Sequence, residues 1–198
     1  MLKPLIESEI EYLDWKNDFQ YPKMCRIRTE LNGSSFFHAL AKSYNIPYIV
    51  GHTSDGDIAI NRTSFIKNMR NNLASTLEMY YQTLFNGKIA EMGQVLPEFS
   101  FENMKNVLES NQPISIFYNE YISNVIDKDI YLLDAKNQDV LKIKNNDLDI
   151  LYKGRKSIVI LILDQHCELI GIQSKDNFIK TIFNHDDEFI RYIYARLK

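Results

Sequence analysis

The sequence predicts an α+β domain, in which helices come first and a hairpin-linked sheet second. Three observations carry that expectation. From Arg62 to about Leu84, the residues Phe65, Ile66, Met69, Leu73, Leu77 and Tyr80 trace one helical face. Ser157 to Leu163 is almost wholly apolar and β-branched, the signature of a central strand buried on both faces. Around that run, polar turns separate short apolar segments at hairpin spacing.

Taken in order, Leu5, Ile6, Ile10 and Leu13, with Phe19 beyond, recur at helical spacing and predict an N-terminal amphipathic helix ended by Pro22. Asn32 to Tyr44 reads as a polar, glycine-bearing turn leading into a helix, with Asn32 or Ser34 available as its cap. Gly51 to Gly56 is small and polar with an Asp-Gly pair, hence a loop. After the Arg62–Leu84 helix come shorter ones over Phe101 to Leu108 and Ile116 to Ile126. Asp129 to Leu133 then reads as a strand, Asp134 to Gln138 as a turn, and Val140 to Ile143 as the return strand. A further apolar segment, Leu148 to Tyr152, is closed by a Lys153-Gly154-Arg155 turn. Beyond Ser157–Leu163, Gln165-His166 forms a polar break and Cys167 to Ile172 resumes as strand. Phe189, Ile190, Ile193 and Leu197 close the chain on a helix. Neither repeats nor a linker divide the sequence, so residues 1–198 read as a single domain.

Composition narrows the function classes. A 198-residue chain that is 45% hydrophobic can bury an ordinary core. Its net charge of −3 argues against a dedicated nucleic-acid binder, which carries a basic excess. The two cysteines, Cys25 and Cys167, have no metal-ligand spacing and cannot make a disulfide framework. Pro4, Glu7 and Glu9 are foreign to a signal peptide, and no apolar run approaches about 18 residues, so no membrane partner is expected. The expectation is a soluble, intracellular protein. His52 and His185 lie in polar surroundings without ligand spacing, so no metal and no cofactor is expected. Asp186-Asp187-Glu188 reads as charge complementing the last helix's dipole. Lys153-Gly154-Arg155-Lys156 reads as a solvated basic turn or, alternatively, an anion contact.

Two segments can carry chemistry. Asn32-Gly-Ser-Ser-Phe-Phe-His-Ala-Leu40 puts Ser35 at or near a helix N-terminus, where unsatisfied amides and the helix dipole favour negative charge. A cysteine there would be a ready thiolate, and the turn amides could hold an oxyanion. A plain capping turn accounts for the same residues. Leu163-Asp-Gln-His-Cys-Glu-Leu-Ile170 puts His166 at the lip of the buried strand, placed as a general base. Glu168, two residues on, shares its side of the strand and could orient the imidazole. A solvated hairpin histidine is the plainer reading.

Together these motifs resemble those of the ovarian-tumour (OTU) family of cysteine proteases, or deubiquitinases. That family carries an Asp-Gly-Asn-Cys-(Leu/Phe)-Phe-x-Ala-type motif opening a helix and a late His-aromatic motif between strands. Asn32 to Ala39 is similar to the first, with Ser35 on the nucleophile position. Asp164 to Glu168 is similar to the second, with His166 on the general-base position. The resemblance spans about residues 24–172 and extends, more softly, to OTU-like proteins of large DNA viruses. It implies a papain-like α+β fold with a central, mostly antiparallel sheet packed between helices. It also implies a ubiquitin or ubiquitin-like partner, no cofactor, a catalytic set of Ser35, His166, Asn32 and Glu168, and residence in host cytoplasm or virion if the source is viral.

Three departures bear on activity. Serine stands for cysteine at position 35, Asn32 for the motif's aspartate, and Cys167 for the aromatic residue after the histidine. An engineered trap would ordinarily change one residue, so the trio favours natural divergence. A serine hydroxyl is far less acidic than a thiol and needs full general-base help. The sequence therefore leaves three readings open. One is an inactive or weak OTU-fold ubiquitin binder, and another is a structural or assembly component reusing the fold. The third is an active isopeptidase in a form carrying cysteine at position 35.

Overall fold

The computed structural model describes residues 9–53, 55, 58–142 and 147–198. Its strands are β1 (Ile10–Tyr12), β2 (Met24–Ile27), β3 (Asp129–Asp134), β4 (Asp139–Val140), β5 (Ser157–Leu163), β6 (His166–Gln173) and β7 (Ile179–Lys180). The α-helices are α1 (Ser35–Tyr44), α2 (Ile46–Val50), α3 (Arg62–Thr76), α4 (Glu78–Tyr81), α5 (Lys88–Gly93), α6 (Phe101–Glu109), α7 (Asn119–Ile126), α8 (Leu148–Leu151) and α9 (Glu188–Leu197). The strands form one sheet in the order β1-β2-β6-β5-β3-β4, with β7 paired to β6. Every neighbour is antiparallel except β3 with β5. The expected α+β architecture with a mostly antiparallel sheet is what the chain adopts.

The run of Ser157 to Leu163 is β5, central in the sheet. Ile158 to Leu161 are fully buried there, which is why period-2 alternation is missing from the sequence. A two-residue turn, Asp164-Gln165, joins it to β6 and pairs Leu163 with His166 and Ile162 with Cys167. Asp164 takes φ of 54°, a left-handed conformation that aspartate tolerates better than most residues. His166 is therefore already in the strand; the expected polar break over Gln165-His166 sits one residue earlier.

Several expectations need correction. The N-terminal helix is not formed over its described part: Ile10–Tyr12 is an edge strand pairing Ile27 to Cys25, and Leu5 and Ile6 lie outside the described residues. Helical spacing lost there to backbone pairing offered by Met24–Ile27, a strand whose short Met-Cys-Arg-Ile sequence has no alternation to announce it. Of the loop expected over Gly51 to Gly56, Ser54 and Gly56 also lie outside the described residues. The long helix from Arg62 stops at Thr76, and α4 continues it for one turn. Ile116–Tyr118 forms a 3₁₀ turn before α7 begins. The return strand is only Asp139–Val140, Ile143 being outside the described residues, and Leu148–Leu151 coils into a helical turn. Ser34 occupies the cap position of α1 but makes no side-chain cap bond.

The core lies between the sheet and α1 on one side and beneath α9 on the other, with α3, α6 and α7 extending it. Leu161 sits at its centre, without solvent contact. Leu161→Ala is expected to lower unfolding free energy by about 2–5 kcal/mol, the range for truncating a buried leucine. Urea denaturation measures it, with the expected signature a lower midpoint at an unchanged slope.

Candidate functional site around Ser35 and beta-strand 6

The turn that precedes α1 is fixed from three directions. Asn32 Oδ1 accepts the Ser34 N–H at 2.8 Å, and Asn32 O accepts the Ser35 N–H at 3.1 Å. Gly33 lies so close to the segment after α6 that a Cβ built on it would stand 1.7 Å from the Asn111 carbonyl oxygen. Arg70, reaching from α3 and 1% exposed, ties the two pieces together. Its guanidinium donates to the carbonyls of Leu108 (2.9 Å), Val107 (2.6 Å) and Gln112 (2.9 Å) and to Ser34 Oγ (2.9 Å). It also lies over the Phe37 ring, 4.5 Å from the centroid. Burial lowers the Arg70 pKa to about 10, still well above neutrality, so the group remains a cation.

His38, one turn along α1, is buried. Its Nδ1 pairs with the Tyr48 hydroxyl, and its Nε2 lies 3.3 Å from Asn32 Nδ2 and 3.5 Å from Glu30 Oε2. The amide of Asn32 is oriented by its bond to Ser34 N, so its NH₂ donates and His38 Nε2 accepts. Burial, above all, holds His38 below the ordinary imidazole range and keeps it in that neutral, accepting form.

Ser35 is the first residue of α1 and only 2% exposed. Its Oγ accepts the backbone N–H of Cys167 at 2.9 Å, and its hydroxyl also neighbours the Cys167 thiol. Burial pushes that thiol from its ordinary value near 9.0 to about 11, with the Ser35 hydrogen bond offsetting a little. Because strand residues alternate, His166 and Glu168 face away from Cys167. His166 Nε2 lies 3.4 Å from Thr29 Oγ1 and 3.5 Å from Glu168 Oε1. Thr29 also donates to the Cys167 carbonyl at 2.6 Å. Glu168 Oε2 lies 3.5 Å from Arg26 Nε, and Arg26 reaches on to Glu11 at 2.5 Å. Glu168 is buried, and its Oε2 has no hydrogen-bond partner among the described residues.

Of the four candidates, the structure brings His166 and Glu168 together on one face and places Ser35 against the intervening Cys167. Among the described residues no hydrogen bond joins Ser35 to His166. Asn32 serves the turn: its carbonyl accepts the Ser35 N–H, and its side chain bonds neither the Ser35 hydroxyl nor His166 among the described residues. The amides of Ser34 and Ser35 are both engaged with Asn32, so they are not free oxyanion donors in this arrangement. In front of Ser35 lies a cleft of about 170 Å³ between the start of α1, the 113–116 segment and the β5–β6 turn. Its wall is largely apolar: Phe36, Ile114, Ile116, Leu132 and Ile162, with Cys167 beside Ser35. Among the described residues no three His, Cys, Asp or Glu side chains are grouped to hold a metal ion.

Arg70, Arg26 and Thr29 went unnoticed in the sequence. Arg70 interrupts the apolar face of α3 beside Met69 and Leu73, and a lone cation at an inward position is the one signal that could have singled it out.

No protein-family model matches the chain, and no curated protein does. Solved structures do. An OTU domain in complex with ubiquitin superposes with a TM-score of 0.53 at 12% identity, over 97% of this chain and 91% of that one. The OTUD1 OTU domain aligns at 10% identity and TM-score 0.45, over 74% and 85% of the two chains. The viral OTU domain protease from Farallon virus aligns at 12% and 0.40, over 82% and 98%. The first of these carries the conclusion: the chain adopts an OTU-like fold.

Two expectations follow from the site geometry. Arg70→Met should cost about 3 kcal/mol or more, since three backbone carbonyls lose a buried donor; chemical denaturation measures it. Cys25 and Cys167 are each pushed to about 11 by burial. At pH 7.5 both should alkylate with iodoacetamide at least about a hundredfold more slowly than a free thiol, the rates rising with pH as thiolate forms. Mass spectrometry of timed samples reads this directly.

Proposed function

We propose that the chain is an OTU-fold protein that binds ubiquitin or a ubiquitin-like protein and hydrolyses its linkages weakly or not at all. The observation that carries this reading is the position of Ser35. It opens α1 at the head of the cleft, and its Oγ is held by the Cys167 N–H instead of by an imidazole. A hydroxyl without a base does not attack a carbonyl at useful rates. The solved OTU domain of similar fold was captured in complex with ubiquitin, which supports the partner class. Beside the cleft, Ile116 and Phe117 are part-exposed, with Phe117 packed on Phe99 at 4.8 Å and Val95 and Leu96 exposed nearby in sequence. Such an apolar shoulder gives a protein partner a place to dock.

In a Ser35→Cys variant, the chemistry would be acyl transfer. The thiolate would add to the carbonyl carbon, and His166 would pass a proton to the departing amine. Water would then hydrolyse the thioester. This requires the imidazole to swing from Glu168 and Thr29 towards residue 35.

Titrating isotope-labelled ubiquitin with the protein at high-micromolar concentration is expected to give saturable cross-peak shifts. If neither ubiquitin nor ubiquitin-like proteins respond, the reading fails. In a fluorogenic ubiquitin assay, Ser35→Cys is expected to exceed the serine form by at least about a hundredfold. His166→Ala in that background should remove about 10²–10⁴-fold of the gain. Silence in both forms would leave a binding or assembly role only.

A further inference from the structure

On the opposite face of the sheet from the Ser35 cleft lies a second cavity that the proposed function does not use. Leu132 of β3 lines the Ser35 cleft, so its neighbour Tyr131 projects to the other side. There Tyr131, Tyr152 at the end of α8, and Tyr194 of α9 line a cavity of about 450 Å³. Tyr131 and Tyr152 stack with centroids 4.2 Å apart and planes 5° from parallel, and Tyr194 meets Tyr152 edge-on. His185, Arg191 and Lys198 stand round the rim.

Two features mark this cavity. Tyr131 and Tyr152 are buried as residues, 4% and 8% exposed, but their hydroxyls are not sealed from solvent and make no hydrogen bond among the described residues, so they are open to a ligand in the cavity. Burial and the Asp129 carboxylate push both phenols upward, so they stay protonated and act as donors. The rim charge is equally unanswered. Asp129, the carboxylate next to the tyrosines, is committed to Arg155 at 2.7 Å, whereas Arg191 makes no ion pair among the described residues. Lys198 lies over the Tyr194 ring, 4.7 Å from its centroid.

We propose that this tyrosine cavity is a binding site for a phosphate monoester, with the Tyr131 and Tyr152 hydroxyls donating to its oxygens and Arg191, assisted by Lys198, balancing its charge. A tetrahedral dianion has enough acceptor oxygens to meet donors arriving from β3, α8 and α9 together. A carboxylate has two oxygens and half the charge. The cavity volume lies within the usual range for small-ligand sites, and its aromatic wall accepts an organic group attached to the phosphate.

The test follows the tyrosine ring and Arg191 side-chain NMR signals as inorganic phosphate, then adenosine monophosphate, is added. Vesicles of phosphatidylcholine with and without a phosphoinositide are tested in parallel by co-sedimentation. Saturable shifts at Tyr131, Tyr152 and Arg191 are expected, with affinity falling at least about tenfold in a Tyr131→Phe/Tyr152→Phe double variant. Those substitutions keep the rings, and an unchanged thermal midpoint shows that the fold is intact. Arg191→Gln, an exposed change, should weaken binding comparably. Tighter binding of the nucleotide than of phosphate assigns a soluble ligand; selective phosphoinositide sedimentation lost with Arg191→Gln assigns a headgroup. The proposal is overturned if no phosphorylated probe binds saturably, if the double variant binds equally, or if acetate produces the same response.

Discussion

The Arg70 guanidinium is the interaction on which the site depends. It sits in the interior as a cation and spends its donors on three carbonyls of the 107–112 segment and on Ser34. Removing such a charge from water is costly, and only a full set of acceptors offsets it. The consequence is a fixed distance between two segments that share no regular pairing. One wall of the cleft, residues 113–116, and the turn that presents Ser35 are therefore held as one piece. Gly33 fits that closeness because any side chain there would collide with the Asn111 carbonyl.

The other wall is set by the sheet. β6 offers Cys167 to the cleft and turns His166 and Glu168 towards Arg26 and Thr29. The Glu168 carboxylate is shared between imidazole and guanidinium, each 3.5 Å away. That arrangement orders charge along the strand edge without completing a line from base to hydroxyl. The Ser35 hydroxyl thus meets β6 through Cys167, while the imidazole and the carboxylate lie on the strand's other face.

The sequence was most legible where a pattern is local. The continuous apolarity of Ser157–Leu163 announced a buried strand, Phe65 to Leu73 announced α3, and the Asn-Gly-Ser-Ser turn marked the start of α1. It was least legible where pairing partners lie far apart. Ile10–Tyr12 looks helical by spacing and becomes a strand because Cys25 to Ile27 is there to receive it. Met24–Ile27 in turn forms only because the distant β6, which pairs Gly171 with Cys25, supplies its other edge. Within the site, the motifs placed Ser35, His166 and Glu168, but not which of His166 and Cys167 would face the helix. Nor could they show that Asn32 would serve the turn, or that Arg70 would hold it, since those roles are defined by carbonyls from another segment.

The two-residue turn at Asp164-Gln165 has a consequence for how such a site can change. It sets the phase of β6 against β5, and with it the group that meets Ser35. Lengthening or shortening the turn by one residue would shift that phase by half a pleat and carry a different side chain, imidazole or carboxylate, to the head of the cleft. A protein built this way can exchange thiol for base opposite its helix without altering any residue of the motif. The spacing of a hairpin becomes a heritable setting for the chemistry it displays.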